Sequence, residues 1–304
     1  MPPTCRSPVT SRCTSSWSRG GVLAPGRCPS VYVPFPETAY GVAKRLEVVA
    51  GWLQAAAGES GSLRILDVGC GTGDQLTAPL AQLGHRVLGI DVHPPTIELA
   101  RARHPVAGLC FEVGEVASLA RRAQRFDAVI CSEVLEHVHD PDVFLRLACS
   151  LVAPGGVLVI TTPNGYGAYE WLVSLQQVLR RTGVHQVCRS LFWSARRGMA
   201  AISGRPAPSR PLEHLTSAED AGFVNTDSGH VQFFTVPRLE QLFREAGLCV
   251  VERRARTVLC GPYADAVLGL LPGRRRLYAW NAAAADWLPF AMAADWMYLL
   301  RPAP

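Results

Sequence analysis

Between residues 64 and 163 the chain repeats one pattern: a short apolar run, then an amphipathic stretch of helical period. The apolar runs are "RILDVG" (64–69), "RVLGIDV" (86–92), "LCFEVG" (109–114), "FDAVICSE" (126–133) and "VLVITTP" (157–163). Helical stretches are expected at 74–83, 95–103, after 114, and at 141–152. Strands that are almost continuously apolar must be covered on both faces, which a parallel sheet flanked by helices provides. Right-handed crossovers then give an α/β, doubly wound fold. An amphipathic helix over 37–57 precedes this unit, and "GESGS" ends it.

The alternation stops at Pro163. Residues 164–228 read as a helical insertion after the fifth strand, with a Pro-rich break, "GRPAPSRP". Regular patterning resumes with a helix at 236–248 and a strand at 249–257. Ala-rich helices follow at 262–292, and "DWMYLLRP" is a last strand. One domain over 37–304, with the insertion as a substrate cap, accounts for the pattern. The first thirty residues are rich in Pro, Ser, Arg and Cys without periodicity, which predicts a disordered tail over 1–30.

A chain of 304 residues, 48% hydrophobic, can bury a sizeable core. The net charge of +5 is too mild to argue for nucleic acid by itself. The charge is unevenly placed, however. No acid lies between Glu170 and Glu213, whereas Arg180, Arg181, Arg189, Arg196, Arg197, Arg205 and Arg210 do. Such a segment suits an anionic head group or peripheral contact with a membrane. The solvated-surface reading stays open beside it. Ten cysteines without a C-x-x-C pair read as reduced, mostly buried residues of a cytoplasmic protein, with Cys70, Cys110, Cys131 and Cys149 in or beside core segments.

"ILDVGCGTGD" ends the first strand and turns into a helix. Gly69, Gly71 and Gly73 permit a tight turn and close approach of a ligand. Asp91, at the end of the second strand, is placed to accept hydrogen bonds from ribose hydroxyls. The spacing G-x-G-x-G differs from the dinucleotide fingerprint G-x-G-x-x-G, and resembles the first motif of class I S-adenosylmethionine-dependent methyltransferases. "GIDVHP", "EVGEVASL", "FDAVICSEVLEHVHDPDVFLRLACSLVAPGGVLVITTPN" and "GHVQFFTVPRLEQLFREAGL" resemble later segments of that family in the same order, over 60–163 and 229–257. The resemblance implies a Rossmann-like methyltransferase sheet of seven strands, the last antiparallel. It also implies S-adenosylmethionine held by Asp67, Gly69, Cys70, Gly71, Gly73, Asp91, Val92, Ser132 and Glu133, with Glu115 and Val116 lining the adenine.

"SEVLEHVHD" (132–140) places Glu133, Glu136 and His137 at i, i+3, i+4, and so on one face of the expected helix. Three readings stay open. The carboxylates could favour a helix start, His137 could take a proton from a hydroxyl, or the three could hold Mg²⁺ or Mn²⁺. His230, in "SGHVQFFT", returns to the same sheet edge and is a second candidate catalytic residue. E-x-x-E-H with a later His is similar to metal-dependent 2′-O-methyltransferases of small RNA, and E-x-x-E-H also resembles the O-methyltransferases of ubiquinone biosynthesis. Both resemblances imply a hydroxyl acceptor, and carried over they make Glu133, Glu136, His137 and His230 metal ligands.

The expectation is methyl transfer to a hydroxyl of a small or lipid-linked molecule. Two rivals are weighed: RNA 2′-O-methylation, which lacks a recognisable RNA-binding companion, and a nicotinamide-dependent oxidoreductase, against which the glycine spacing speaks. Asn164 reads as a substrate contact or an Asx turn, and His85 and His104 as surface residues. Tyr166, Tyr169, Trp171, Phe192 and Trp193 could line an acceptor pocket or form a local core.

Overall fold

The computed structural model describes residues 33–58, 61–167, 230–260, 268, 271 and 273–303. Most of the insertion and the N-terminal thirty residues lie outside these, and with them Tyr169, Trp171, Phe192, Trp193 and the arginine cluster. Seven strands form one sheet: β1 (Arg64–Val68), β2 (Arg86–Asp91), β3 (Leu109–Val113), β4 (Phe126–Ser132), β5 (Val152–Pro163), β6 (Leu248–Ala255) and β7 (Asp295–Pro302). Their order is β3-β2-β1-β4-β5-β7-β6. The first five run parallel, and β7 is antiparallel to both β5 and β6. This is the expected methyltransferase sheet.

Helices are α1 (Val42–Ala57), α2 (Thr77–Gln82), α3 (Pro94–Arg103), α4 (Val116–Arg121), α5 (Pro141–Ser150), α6 (Val236–Glu245) and α7 (Arg274–Ala284). Two cores sandwich the sheet, because side chains alternate between its faces. Leu66, Val129, Cys131, Leu158 and Ile160 pack with residues of α4, α5 and α6. Ile65, Ala128, Ile130, Val157 and Val159 pack with α1 and α2. Each fully buried aliphatic chain of this kind contributes about 2 kcal/mol. α1 is capped from upstream, where Glu37 accepts hydrogen bonds from the N–H groups of Ala43 at 3.0 Å and Lys44 at 2.9 Å. That satisfies two donors the first turn cannot satisfy itself.

Two elements differ from the sequence expectation. α2 is shorter than 74–83, because polar side chains hold residues 72–76 in turns: Thr72 Oγ1 donates to Asp74, which also pairs with Arg103 and His104. Among the described residues of 262–292, Leu268 and α7 are helical as expected, but the end of the stretch forms two 3₁₀ turns, Ala285–Trp287 and Phe290–Met292.

The chain winds from β1 to β3 on one side and from β4 onward on the other. The strand order therefore reverses between β1 and β4, and the crevice outside their carboxyl ends is where such sheets bind ligands.

Candidate active site

The glycine loop lies at that reversal. Gly69, Gly71 and Gly73 all have left-handed φ, of 67°, 54° and 78°. At Gly69 the conformation is forced by packing too, since a Cβ there would stand 2.5 Å from Cγ2 of Val134. The equivalent atom at Gly73 would meet the Phe111 ring at 2.6 Å. The Gly71 N–H donates to Asp91 Oδ2 at 3.1 Å, and the His93 N–H to Oδ1 at 2.9 Å. Asp91 thus stands beside the loop at the end of β2. Val92 is exposed at 61%. Glu115 is exposed ahead of α4, whose first residue, Val116, is buried.

Asp67 is buried and accepts from Thr77 Oγ1 at 2.6 Å, tying β1 to α2. Burial outweighs that bond and the nearby Arg45, and raises its carboxyl to about 6. Burial likewise raises the thiol of Cys70.

The stretch 132–140 departs from its sequence reading. Glu133 is not on a helix: its φ of 58° is left-handed, and its N–H donates to the Thr161 carbonyl at 2.9 Å. Only Leu135–His137 form a turn, of 3₁₀ type, and α5 begins after it at Pro141. Glu133, Glu136 and His137 therefore do not share one face.

Glu133 is gripped instead by a residue the motif does not contain. Arg256 Nη1 lies 2.9 Å from Glu133 Oε1, and Nη2 donates to Oε2 at 3.0 Å. The Thr161 hydroxyl donates to Oε1 at 2.6 Å. Arg256 Nη2 also pairs with Asp295 at 2.7 Å, and Asp295 accepts from Thr257 Oγ1 at 2.6 Å. Burial opposes ionisation of Glu133, but Arg256 and then Arg45 overcome it and hold the carboxyl at about 2. In Asp295 burial wins, and its carboxyl is raised.

Glu136, His137 and His230 do come together. Their candidate ligand atoms all lie within 4.8 Å of one another, the grouping found among the described residues, and Glu133 is not part of it. The His137 and His230 ring centroids are 5.1 Å apart. The backbone explains the meeting: Val231 and Gln232 both donate N–H bonds to the Glu136 carbonyl, at 2.9 and 3.1 Å. Gln232 Nε2 also reaches the His139 carbonyl at 3.0 Å. Those bonds dock the returning chain on the 3₁₀ turn. Glu136 is 1% exposed; burial and then the Glu133 charge raise its carboxyl well above the usual range. A bound cation would reverse that, so this donor set, one carboxylate and two imidazoles, fits a divalent ion.

Arg45, on α1, was also missed from the sequence. It is buried; Nη1 donates to Ser132 Oγ at 3.1 Å, and Nη2 bonds Gln75 beside the glycine loop. Burial, then repulsion from Arg256, lowers its guanidinium to about 10. The surrounding pattern of α1 is apolar, so the only signal was a basic residue on a core-facing helix position.

Other readings change. Asn164 is structural: its Nδ2 donates to the carbonyls of Ala291 and Ala293, and its Oδ1 accepts from the Tyr166 N–H in an Asx turn. His85 is buried, not a surface residue, and its Nδ1 accepts from the Leu63 N–H at 3.3 Å. His104 is partly covered and sits 2.9 Å from Asp74.

Residues 42–253 match the family model described as a methyltransferase domain. The chain belongs to the methyltransferase domain family. The seven-stranded sheet is in keeping with that family. The chain is similar to the ubiquinone biosynthesis O-methyltransferase of Methylocella silvestris, 46% identical over 104 residues, covering 34% of this chain and 40% of that protein. The enzyme of the same name from Xanthomonas axonopodis pv. citri is 42% identical over 123 residues, covering 40% and 49%. This methyltransferase-domain chain thus spans less than half the length of either relative. Its fold is similar to PKMT2 from Rickettsia typhi, with TM-score 0.53 at 14% identity, covering 88% of this chain and 55% of that one. CcbJ from Streptomyces caelestis gives 0.50 at 17%, covering 84% and 88%. These two likenesses bear on fold alone. The matches do not favour the oxidoreductase or RNA readings.

Proposed function

We propose that this protein transfers a methyl group from S-adenosylmethionine to a hydroxyl oxygen of a small or lipid-linked molecule. The observation that carries the reading is the cluster of Glu136, His137 and His230 at the sheet edge that also holds the glycine loop. The donor is activated by its own sulfonium charge, so the protein's work is to align a nucleophile and exclude water. An oxygen nucleophile must also lose a proton. Residues able to assist that step are the ones gathered here, and the named relatives are O-methyltransferases.

For the donor, Asp91 would accept the ribose hydroxyls, and Glu115 and Val116 would border the base. Arg45 is a buried cation next to the loop, suited to the carboxylate of the donor's amino-acid end. Glu136, His137 and His230 would hold a divalent cation, which when bound supplies charge that lowers the pKa of an acceptor hydroxyl. Glu133 is left to Arg256. The acceptor's own recognition is assigned to the insertion.

The test is transfer of labelled methyl from S-adenosylmethionine to a panel of catechols, hydroxyquinones and short RNAs, with and without chelator. Transfer to a hydroxylated ring, lost with chelator and restored by Mg²⁺ or Mn²⁺, is expected. Transfer only to RNA, or none with intact S-adenosylhomocysteine binding, defeats the acceptor assignment. Chelator-insensitive transfer defeats the cation and leaves a histidine as base.

A further inference from the structure

The segment between β6 and β7 presents an unusual surface. In α7, Tyr278, Asn281 and Ala282 face inward, and Ala285 continues that buried row. The opposite side of α7 carries Arg276, Trp280 and Ala283, at helical spacing i, i+4 and i+7, and Trp287 follows in the 3₁₀ turn Ala285–Trp287. Trp280 is 63% exposed, Trp287 89%, and Met292, in the turn just beyond, 65%. Arg274, Arg275 and Arg276 are exposed at the start of α7. The only acid between residues 273 and 292 is Asp286, and it is paired with Lys44 at 2.8 Å.

This surface borders the active edge. β7 starts at Asp295, opposite Pro163 at the end of β5. Asn164 Nδ2 holds the carbonyls of Ala291 and Ala293, on either side of Met292. Lys44 Nζ, next to Arg45, donates to the Ala282 carbonyl at 2.7 Å.

We propose that the Trp280–Trp287 face, with Met292 and the Arg274–Arg276 run, lies on an anionic phospholipid surface and brings the rim of the site to it. Indole rings are favoured at the membrane–water boundary, and arginines next to it are attracted by anionic head groups. Exposed indole rings beside three exposed arginines, which form no ion pair among the described residues, match that chemistry. No helix among the described residues is long and apolar enough to cross a membrane, so the contact is one of lying on the surface. The inference rests on the methyltransferase reading only for its purpose, delivery of a lipid-linked acceptor.

The full chain would be co-sedimented with vesicles of phosphatidylcholine alone, and of phosphatidylcholine with phosphatidylglycerol. Binding to the anionic vesicles alone, weakened by salt, is expected. Replacing Arg274, Arg275 and Arg276 by Ala should weaken it about a hundredfold, and Trp280→Ala with Trp287→Ala at least about tenfold. Arg→Lys and Trp→Phe variants should retain most of it. Absence of binding in the parent chain, equal binding to both vesicle types, or unchanged binding in the Ala variants overturns the proposal. So does a change in oligomeric state of the Trp variants without any vesicle binding, which would assign the face to a second copy. S-adenosylhomocysteine binding, measured in parallel, separates the two readings. Its loss in the parent chain would sink the enzyme assignment and not this one.

Discussion

Arg256 and Glu133 meet side-on, with guanidinium nitrogens 2.9 and 3.0 Å from the two carboxylate oxygens. The same guanidinium holds Asp295 at 2.7 Å. One buried cation therefore serves two acids from different strand ends, and joins β4 to β6 and β7. Removing it leaves Asp295 without its partner cation and Glu133 with Arg45 alone, in a site largely closed to water. Arg256→Met is expected to destabilise the fold by about 3–5 kcal/mol, read as a lower urea midpoint with unchanged slope. Adding Glu133→Gln and Asp295→Asn should recover much of the loss. A triple variant no better than the single one would show that the pairing is not what Arg256 provides.

The same pairing separates Glu133 from the candidate cation ligands. Mn²⁺ binding, followed by calorimetry and by electron paramagnetic resonance, should survive Glu133→Gln. Glu136→Gln and His230→Ala should each weaken it by more than about tenfold, since loss even of outer partners costs 10–100-fold. Equal loss from Glu133→Gln would restore the four-ligand set expected from the sequence alone.

The sheet was legible because each strand carries its own apolar run, and the glycine loop because φ above zero demands glycine at fixed spacing. The departures have a common origin in side chains reaching across the fold. Glu133, Glu136 and His137 have helical spacing, but the chain passes through a left-handed residue before the 3₁₀ turn. The cause is the Thr161 carbonyl and Arg256, 28 and 123 residues away in sequence. Arg45 and Asp295 carry no local motif. Their burial follows from partners that only the folded chain supplies. His230 was legible as a candidate because it follows the insertion, yet its neighbours were fixed by backbone bonds to Glu136 that no pattern reveals.

Gly69 and Val134 offer a test of the loop that needs no ligand. Gly69→Ala meets both a left-handed φ and a contact of 2.5 Å with Val134. The backbone part costs about 1 kcal/mol, and the clash should add about 1–3 kcal/mol. Val134→Ala in the same chain should remove the second cost and leave the first. If the double variant is no more stable than Gly69→Ala, Val134 is not what confines the loop.

Asp67 should make stability fall with pH. Its carboxyl is raised in the folded chain from 3.8 to about 6, chiefly by burial. The folded state then binds the proton more tightly than the unfolded one. The stabilising contribution is complete below about pH 4 and is lost as pH rises through about 6. The span corresponds to about 3 kcal/mol. Glu133 acts with the opposite sign in a lower window: its carboxyl is depressed to about 2, so its contribution is present above 4.5 and is lost as pH falls toward 2. Comparing the parent chain with Asp67→Asn between pH 4 and 7 isolates the first effect. Asn keeps an acceptor for the Thr77 hydroxyl but cannot ionise. The variant should match the parent near pH 4 and exceed it in unfolding free energy by up to about 3 kcal/mol at pH 7. A difference that does not change with pH would mean that Asp67 is ionised throughout, held by Arg45 and Thr77 more strongly than burial opposes.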